Sequence, residues 1–277
     1  MTIRIAICAP ATPILPQDEA RLRAIAAGFD VDLHLHPQCF VSEGHFAGSD
    51  DVRLAALLDC ANDPGFDAVW FARGGYGSNR IAARAVAGMN ALAGAKAYLG
   101  YSDMGYLLGA LYGARIGRVA HGPMVADGRR AAGEAALARA LGWLTGAGDG
   151  LEPSLAGESH PVVAFNLCTL AMLCGTPMMP GLAGHVVMVE EVSEHLYAID
   201  RLMFHATAHL ASLPEPIAGL RLGRVSDVPE NDRPFGSDVT AIARDWCARH
   251  AIPFLGAADI GHDADNKIVP FGLATRG

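Results

Sequence analysis

The sequence predicts an α/β fold built on a mostly parallel, doubly wound sheet, and three observations carry that expectation. Short apolar runs alternate with helical patterns over roughly the first 110 residues, the signature of a parallel sheet with helices on both faces. Of 277 residues, 51% are hydrophobic and only 18% charged, enough apolar material for one large or two ordinary domains. The small and turn residues from Thr145 to Pro153 break the pattern and mark a domain boundary. The expected division is 1–150 and 161–277, joined by a linker within 145–160.

Residues 3–8 (Ile-Arg-Ile-Ala-Ile-Cys) form a first strand ending at Ala9-Pro10. Asp18-Glu19 open a helix whose apolar positions are Leu22, Ile25 and Ala26, and Gly28 ends it. Residues 31–35 alternate as a second strand. A loop at 46–51 caps a helix carrying Leu54, Leu57 and Leu58, which breaks at Asn62-Asp63-Pro64-Gly65. Residues 66–71 are the next strand, 73–80 a glycine-rich loop and 81–89 a helix. A strand from Ala97 stops at Gly100, and past Asp103 a helix begins with Leu107, Leu108 and Leu111 at helical spacing. An alanine-rich helix is expected over 130–144. The second half reads as strand 162–165, helix 167–173, strand 186–189 finishing on Glu190-Glu191, helix 198–210, strand 220–225, helix 239–250, and final strands around Gly261-His262.

The net charge of −8 argues against a nucleic-acid partner, whose phosphates would be repelled. Six scattered cysteines, none with CxxC spacing, read as small buried hydrophobes of a reducing compartment. The first apolar stretch is too short for a signal peptide, and no run approaches the ~20 apolar residues of a membrane span. A cytoplasmic protein without a membrane partner is expected.

Three ionisable residues stand at the ends of apolar runs, where strands deliver side chains to a site: Ser102, Glu190 and His262. A serine at a strand-to-helix turn has its hydroxyl pushed out of the sheet, beside the first helical amides. With a histidine to take its proton and a carboxylate to orient that histidine, the set makes a Ser-Glu-His nucleophile. Ser102-Asp103 also reads as an ordinary helix cap, and Met104 stands where a full Gly-x-Ser-x-Gly elbow has its second glycine. The loop Arg73-Gly74-Gly75-Tyr76-Gly77 lets backbone amides approach an anion or oxyanion, or it is a plain tight turn; it lacks the ending of a Walker loop. A binding module holding an anion in this loop is therefore a second reading. His205 and His209, four apart on a helix, are a third, metal-dependent one, although Ala206 breaks the His-Glu-x-x-His pattern. His34-x-His36-Pro37-x-Cys39 reads as a polar turn, and Asp263-Ala-Asp265-Asn266 is too short for a calcium loop.

Taken in order, these pieces resemble the LD-carboxypeptidases, serine peptidases that trim murein peptides, and their relatives the microcin C immunity hydrolases. The resemblance runs nearly end to end. It is carried by Ala9-Pro10, Phe46-Ala47-Gly48 with Arg53, Ala72 to Gly77, Gly100-Tyr101-Ser102-Asp103, His121-Gly122-Pro123, Asn166-Leu167 with Gly175-Thr176-Pro177, Glu190 with Tyr197 to Arg201, and Gly261-His262 with Asn266, Pro270 and Gly272. It implies an N-terminal domain similar to class I glutamine amidotransferases and a smaller β-rich C-terminal domain, Ser102 coming from one and Glu190 and His262 from the other. It implies an oxyanion hole made by the amides of Asp103 and Gly75, a homodimer, and no cofactor or metal. The implied substrate is a small murein tetrapeptide, cleaved between an L-centre of diaminopimelate or lysine and a terminal D-alanine; an acyl nucleotide of the microcin type is the alternative. Arg73 and Arg201 are the expected cations for the substrate carboxylate, with Gly74 and Asn166 as further contacts. Departures from the family pattern are Ala164-Phe165 before Asn166, where Gly-Gly is common, and Glu191, where Asp is common.

Overall fold

The computed structural model describes residues 2–146 and 148–273. Met1, Ala147 and residues 274–277 lie outside the described residues, and with them the outer ends of both expected domains and one linker residue.

Five strands alternate with helices as the sequence suggests: β1 (Ile3–Cys8), α1 (Pro16–Ala26), β2 (Val31–Leu35), α2 (Asp50–Asn62), β3 (Ala68–Phe71), α3 (Ala82–Gly88), β4 (Ala97–Gly100), α4 (Gly105–Gly113), β5 (Arg118–His121) and α5 (Gly133–Leu144). Strand β5 carries no apolar run of its own, only Val119 and Ala120 between Arg118 and His121, so periodicity does not reveal it. Helix α5 starts three residues later than expected, leaving Arg130 in the turn before it.

After the linker come β6 (Val162–Asn166), α6 (Leu167–Leu173), β7 (Val186–Val192), α7 (Leu196–Ala211), β8 (Gly219–Ser226), α8 (Val239–Arg249), β9 (Phe254–Ala257) and β10 (Val269–Pro270). Strands β6 to β9 form a second parallel sheet in chain order, each joined to the next by a helix. β10 leaves this sheet and pairs antiparallel with β5, so the first sheet runs β10-β5-β4-β3-β1-β2. The first-sheet order reverses between β1 and β3, and a crevice opens at the carboxyl ends of strands around such a point. The loop 73–80 starts there, and Ser102 follows the neighbouring β4.

Apolar residues of both halves join in one core. Leu107, Leu108 and Leu111 of α4 share a cluster with Phe165, Leu170, Leu173 and the strands of the second sheet. Helix α4 is apolar all round because both sides are covered. Its glycines let α6 come close: a Cβ on Gly105 would lie 2.7 Å from Thr169 Cγ2, and one on Gly109 3.2 Å from Leu173 Cδ1. This approach brings the two sheets' functional ends together.

Candidate active site

Ser102 is delivered by an abrupt turn. Tyr101 is fully extended, Ser102 adopts a left-handed φ of 59°, and a single 3-10 turn over Ser102–Met104 runs into α4. A non-glycine residue in that conformation costs about 1–3 kcal/mol and persists only where its surroundings hold it. Here Thr169 Oγ1 donates to the Ser102 carbonyl at 3.3 Å, and Gly74 packs so closely that a Cβ there would lie 3.2 Å from Ser102 Cβ. Room at the turn comes from Gly74 beside Ser102 and from Gly100, where a Cβ would lie 3.2 Å from Met104 Cβ.

The glycine loop is pinned from both sides. Thr12 Oγ1 donates to the Gly74 carbonyl at 2.6 Å. From the other side, the Asp103 carboxylate accepts the amides of Gly77 at 3.3 Å and Ser78 at 2.9 Å, while Ser78 Oγ donates to the Asp103 carbonyl at 2.5 Å. Gly75 has φ +102°, and a Cβ on it would meet Thr12 at 2.7 Å, so only glycine fits. Burial raises the Asp103 pKa, although these bonds and Arg53 pull the other way.

Glu190 lies inside β7, not at its end as the sequence suggests. The β7–β8 register shifts between Val189 and Glu191, and such an irregularity re-aims side chains. Two consecutive carboxylates are thereby used. Glu190, wholly buried, bonds His262, while Glu191 accepts Asn166 Nδ2 at 2.7 Å, the Cys168 amide at 2.8 Å and the Val192 amide at 2.9 Å. Burial raises the Glu191 pKa in spite of those donors. Gly223 of β8 makes room beside Glu190: a Cβ there would come within 2.9 Å of Glu190 Cβ and 2.8 Å of the Ile260 carbonyl.

His262 also differs from expectation, standing in a loop between β9 and β10 rather than at the end of a strand. That loop is fastened by both halves of the molecule. Arg224 of β8 forks onto Asp263, and Arg139 of α5 donates to the carbonyls of Ala264 and Asn266, both at 2.9 Å. The wholly buried Asn266 accepts the Gly261 amide at 3.1 Å through Oδ1, which fixes that atom as an acceptor. His121 Nε2, 3.1 Å from the same oxygen, is therefore its donor, and burial pushes the His121 pKa down to about 3, keeping the ring neutral.

The three expected residues meet in series. His262 Nε2 lies 2.9 Å from Ser102 Oγ, and its Nδ1 lies 2.5 Å from Glu190 Oε2. An ionised carboxylate only accepts, so Nδ1 carries the proton and the Nε2 lone pair faces the serine hydroxyl. Burial lowers the imidazole pKa, but the Glu190 carboxylate, helped by Glu191 and Asp127, outweighs it and the net shift is upward. The ring of Tyr101 supports His262 at 4.9 Å between centroids, and its hydroxyl donates to Asp127 at 2.8 Å. An alcohol bonded to such an imidazole is poised for deprotonation.

Two lobes of one cleft meet at Ser102. A larger lobe of about 420 Å³ is lined by Arg73, Gly74, Gly75, Tyr101, Arg129 and Arg130, and a smaller one of about 210 Å³ by Gly75, Tyr76, Tyr106, Asn166, Cys168 and Glu191. Arg73, Gly74, Gly75, Asp103 and Asn166 thus border the serine. Arg201, exposed on α7 with its guanidinium 5.7 Å from the centre of the Tyr197 ring, lines neither lobe, although its charge reaches Cys168 of the smaller one. The cations that do face the cleft include Arg129 and Arg130, which a pattern search passes over because they precede a helix and sit among small residues. His205 and His209 gain no third ligand-type side chain among the described residues, so the metal reading finds no cluster to stand on. His36 caps the 3-10 turn over Pro37–Phe40, accepting the Gln38 amide.

Comparison with known proteins gives a consistent result. Residues 5–122 match the model of the LD-carboxypeptidase N-terminal domain, and residues 161–276 that of the C-terminal domain. A murein tetrapeptide carboxypeptidase of Pseudomonas aeruginosa is 28% identical over 286 residues, covering 97% of this chain and 91% of that protein. Among solved structures, muramoyltetrapeptide carboxypeptidase from Oxalobacter formigenes superposes with a TM-score of 0.79 at 24% identity, covering 97% of this chain and 92% of that one. A microcin C7 self-immunity protein in its wild-type apo state also superposes at 0.79, at 14% identity, covering 98% of this chain and 91% of that one. At these identities the solved structures speak for the fold.

Proposed function

The chain belongs to the LD-carboxypeptidase family, and from that premise we propose that it is a serine carboxypeptidase releasing terminal D-alanine from murein tetrapeptide. The observation that supports this most is the series Ser102–His262–Glu190, whose members come from three separate loops and strands, with His262 within hydrogen-bonding distance of both others. In this reading His262 Nε2 takes the Ser102 proton as Oγ attacks the carbonyl before the last residue, and Glu190 stabilises the imidazolium. The amides of Gly75 and Asp103 receive the oxyanion. His262 returns the proton to the leaving amine, D-alanine departs, and water, activated by the same histidine, cleaves the acyl-serine. Arg73, Gly74 and Asn166 contact the substrate from the cleft walls. The N-terminal unit, residues 1–150, supplies the serine and residues 161–277 the histidine and its carboxylate. The same reading gives a cytoplasmic homodimer acting in cell-wall recycling.

Incubation of the protein with tetrapeptide, followed by mass spectrometry, is expected to show loss of one alanine, and Ser102→Ala to abolish it. An unaltered peptide would refute the substrate, and a fully active Ser102→Ala the mechanism. The alternative, hydrolysis of a microcin-type acyl nucleotide, is supported by the fold shared with the self-immunity protein and is tested by the same assay on that compound.

A further inference from the structure

The two lobes that meet at Ser102 differ in charge. In the larger lobe, Arg129 forks onto the buried Asp18, with Nε at 2.8 Å from Oδ1, and Arg130 Nε donates to Asp127 at 3.0 Å. Both guanidiniums have a carboxylate of their own. Arg73 has none among the described residues; its side chain makes one long bond, 3.3 Å, to the Pro13 carbonyl. It is half-buried, and burial together with the nearby Arg129 lowers its pKa, with Asp18 offsetting part. A partly desolvated cation of this kind is stabilised by an anion entering beside it, and its planar fork suits a carboxylate.

Among the described residues no cation lines the smaller lobe, Arg201 reaching its Cys168 only from outside, and the lobe holds the Glu191 carboxylate, fixed by its three donors. A second carboxylate brought there would be repelled. A substrate with a free carboxylate is thus drawn to one side of Ser102 and turned away from the other.

We propose, building on the serine-carboxypeptidase reading, that the substrate crosses Ser102 in one direction: the departing residue in the larger lobe with its free carboxylate on Arg73, and the acyl residue toward the Glu191 lobe. Arg73 then makes the enzyme an exopeptidase, because a capped or extended chain presents no carboxylate at that point.

The test uses a tetrapeptide ending in D-alanine and the same peptide ending in D-alaninamide, with wild type and Arg73→Gln. In the wild type the amide is expected to lose ~10–100-fold in kcat/KM. Arg73→Gln is expected to lose the same factor on the acid, mostly in KM, and less than about threefold on the amide, while Arg73→Lys recovers part of the loss. Equal losses on both peptides, or a wild type indifferent to the amide, overturn the proposal. Should the wild type cleave neither peptide, the carboxypeptidase reading fails separately, and calorimetry on Ser102→Ala decides the carboxylate site. Tetrapeptide binding that exceeds amide binding and falls about tenfold with Arg73→Gln upholds it. No binding, or binding blind to the carboxylate or to Arg73, overturns it.

Discussion

Ser102 and His262 show how single residues are held in states they would not choose alone. Ser102 sits at φ 59°, a conformation open to glycine at little cost. Ser102→Gly and Ser102→Ala both remove the hydroxyl, so they differ mainly in backbone strain. The glycine variant is expected to be more stable by about 1 kcal/mol, read as a higher melting temperature, with neither variant active. His262 has its pKa raised by Glu190 against the pull of burial. In its proposed role as base it works unprotonated, so activity should fall as pH drops through that raised value, above the ordinary ~6.5. Glu190→Gln should move the acid limb of kcat/KM to lower pH while lowering kcat. The linkage sign for stability is the reverse: a histidine whose folded pKa is raised stabilises the fold fully below ~6.5 and loses that contribution as pH climbs through the folded value. A pH-activity series with paired thermal melts checks both.

At the scale of elements, strands and loops aim the side chains. The irregular pairing of β7 with β8 lets Glu190 and Glu191 both serve the site, and Gly223 leaves the space for it. Gly223→Ala would push on Glu190 and the Ile260 carbonyl. It is expected to cost about 1–3 kcal/mol in stability and a larger share of kcat than of KM, measurable by denaturant melts and steady-state kinetics. Asn266→Ala would free the His262 loop from β5 and is expected to lower kcat about tenfold with little change in KM. These devices also mark what a sequence can disclose. The alternation of strands and helices, Ser102 beyond a strand and the glycine loop were legible because periodicity and turn chemistry are local. Strand β5 was not, since four residues with two small apolar ones acquire strand character only from β4 beside them. The place of His262 in a loop was hidden for a similar reason, because that loop is shaped by Arg139, Arg224 and His121 far away in the chain. Arg201, expected among the cleft contacts, stands on the exposed face of α7 beside the smaller lobe, because a motif gives proximity in sequence, not the face of a helix.

Over the whole molecule the two sheets are not independent bodies. One apolar cluster is shared by both, a second lies on the other face of the first sheet, and β10 carries the chain back to the edge of that sheet. Thermal unfolding is therefore expected as one cooperative transition by near-ultraviolet and far-ultraviolet circular dichroism alike, where separable domains would give two. No helix among the described residues is long and apolar enough to cross a membrane. The return of β10 bears on how the protein is made. Ser102 and His262 are 160 residues apart, so on the ribosome roughly 10–30 s pass between the synthesis of one and of the other. From its own synthesis until β10 follows, β5 is a bare strand edge, the kind of surface that pairs with neighbouring nascent chains. The strand that covers it follows the histidine within a few residues. Protection of the edge and completion of the reactive centre thus arrive together.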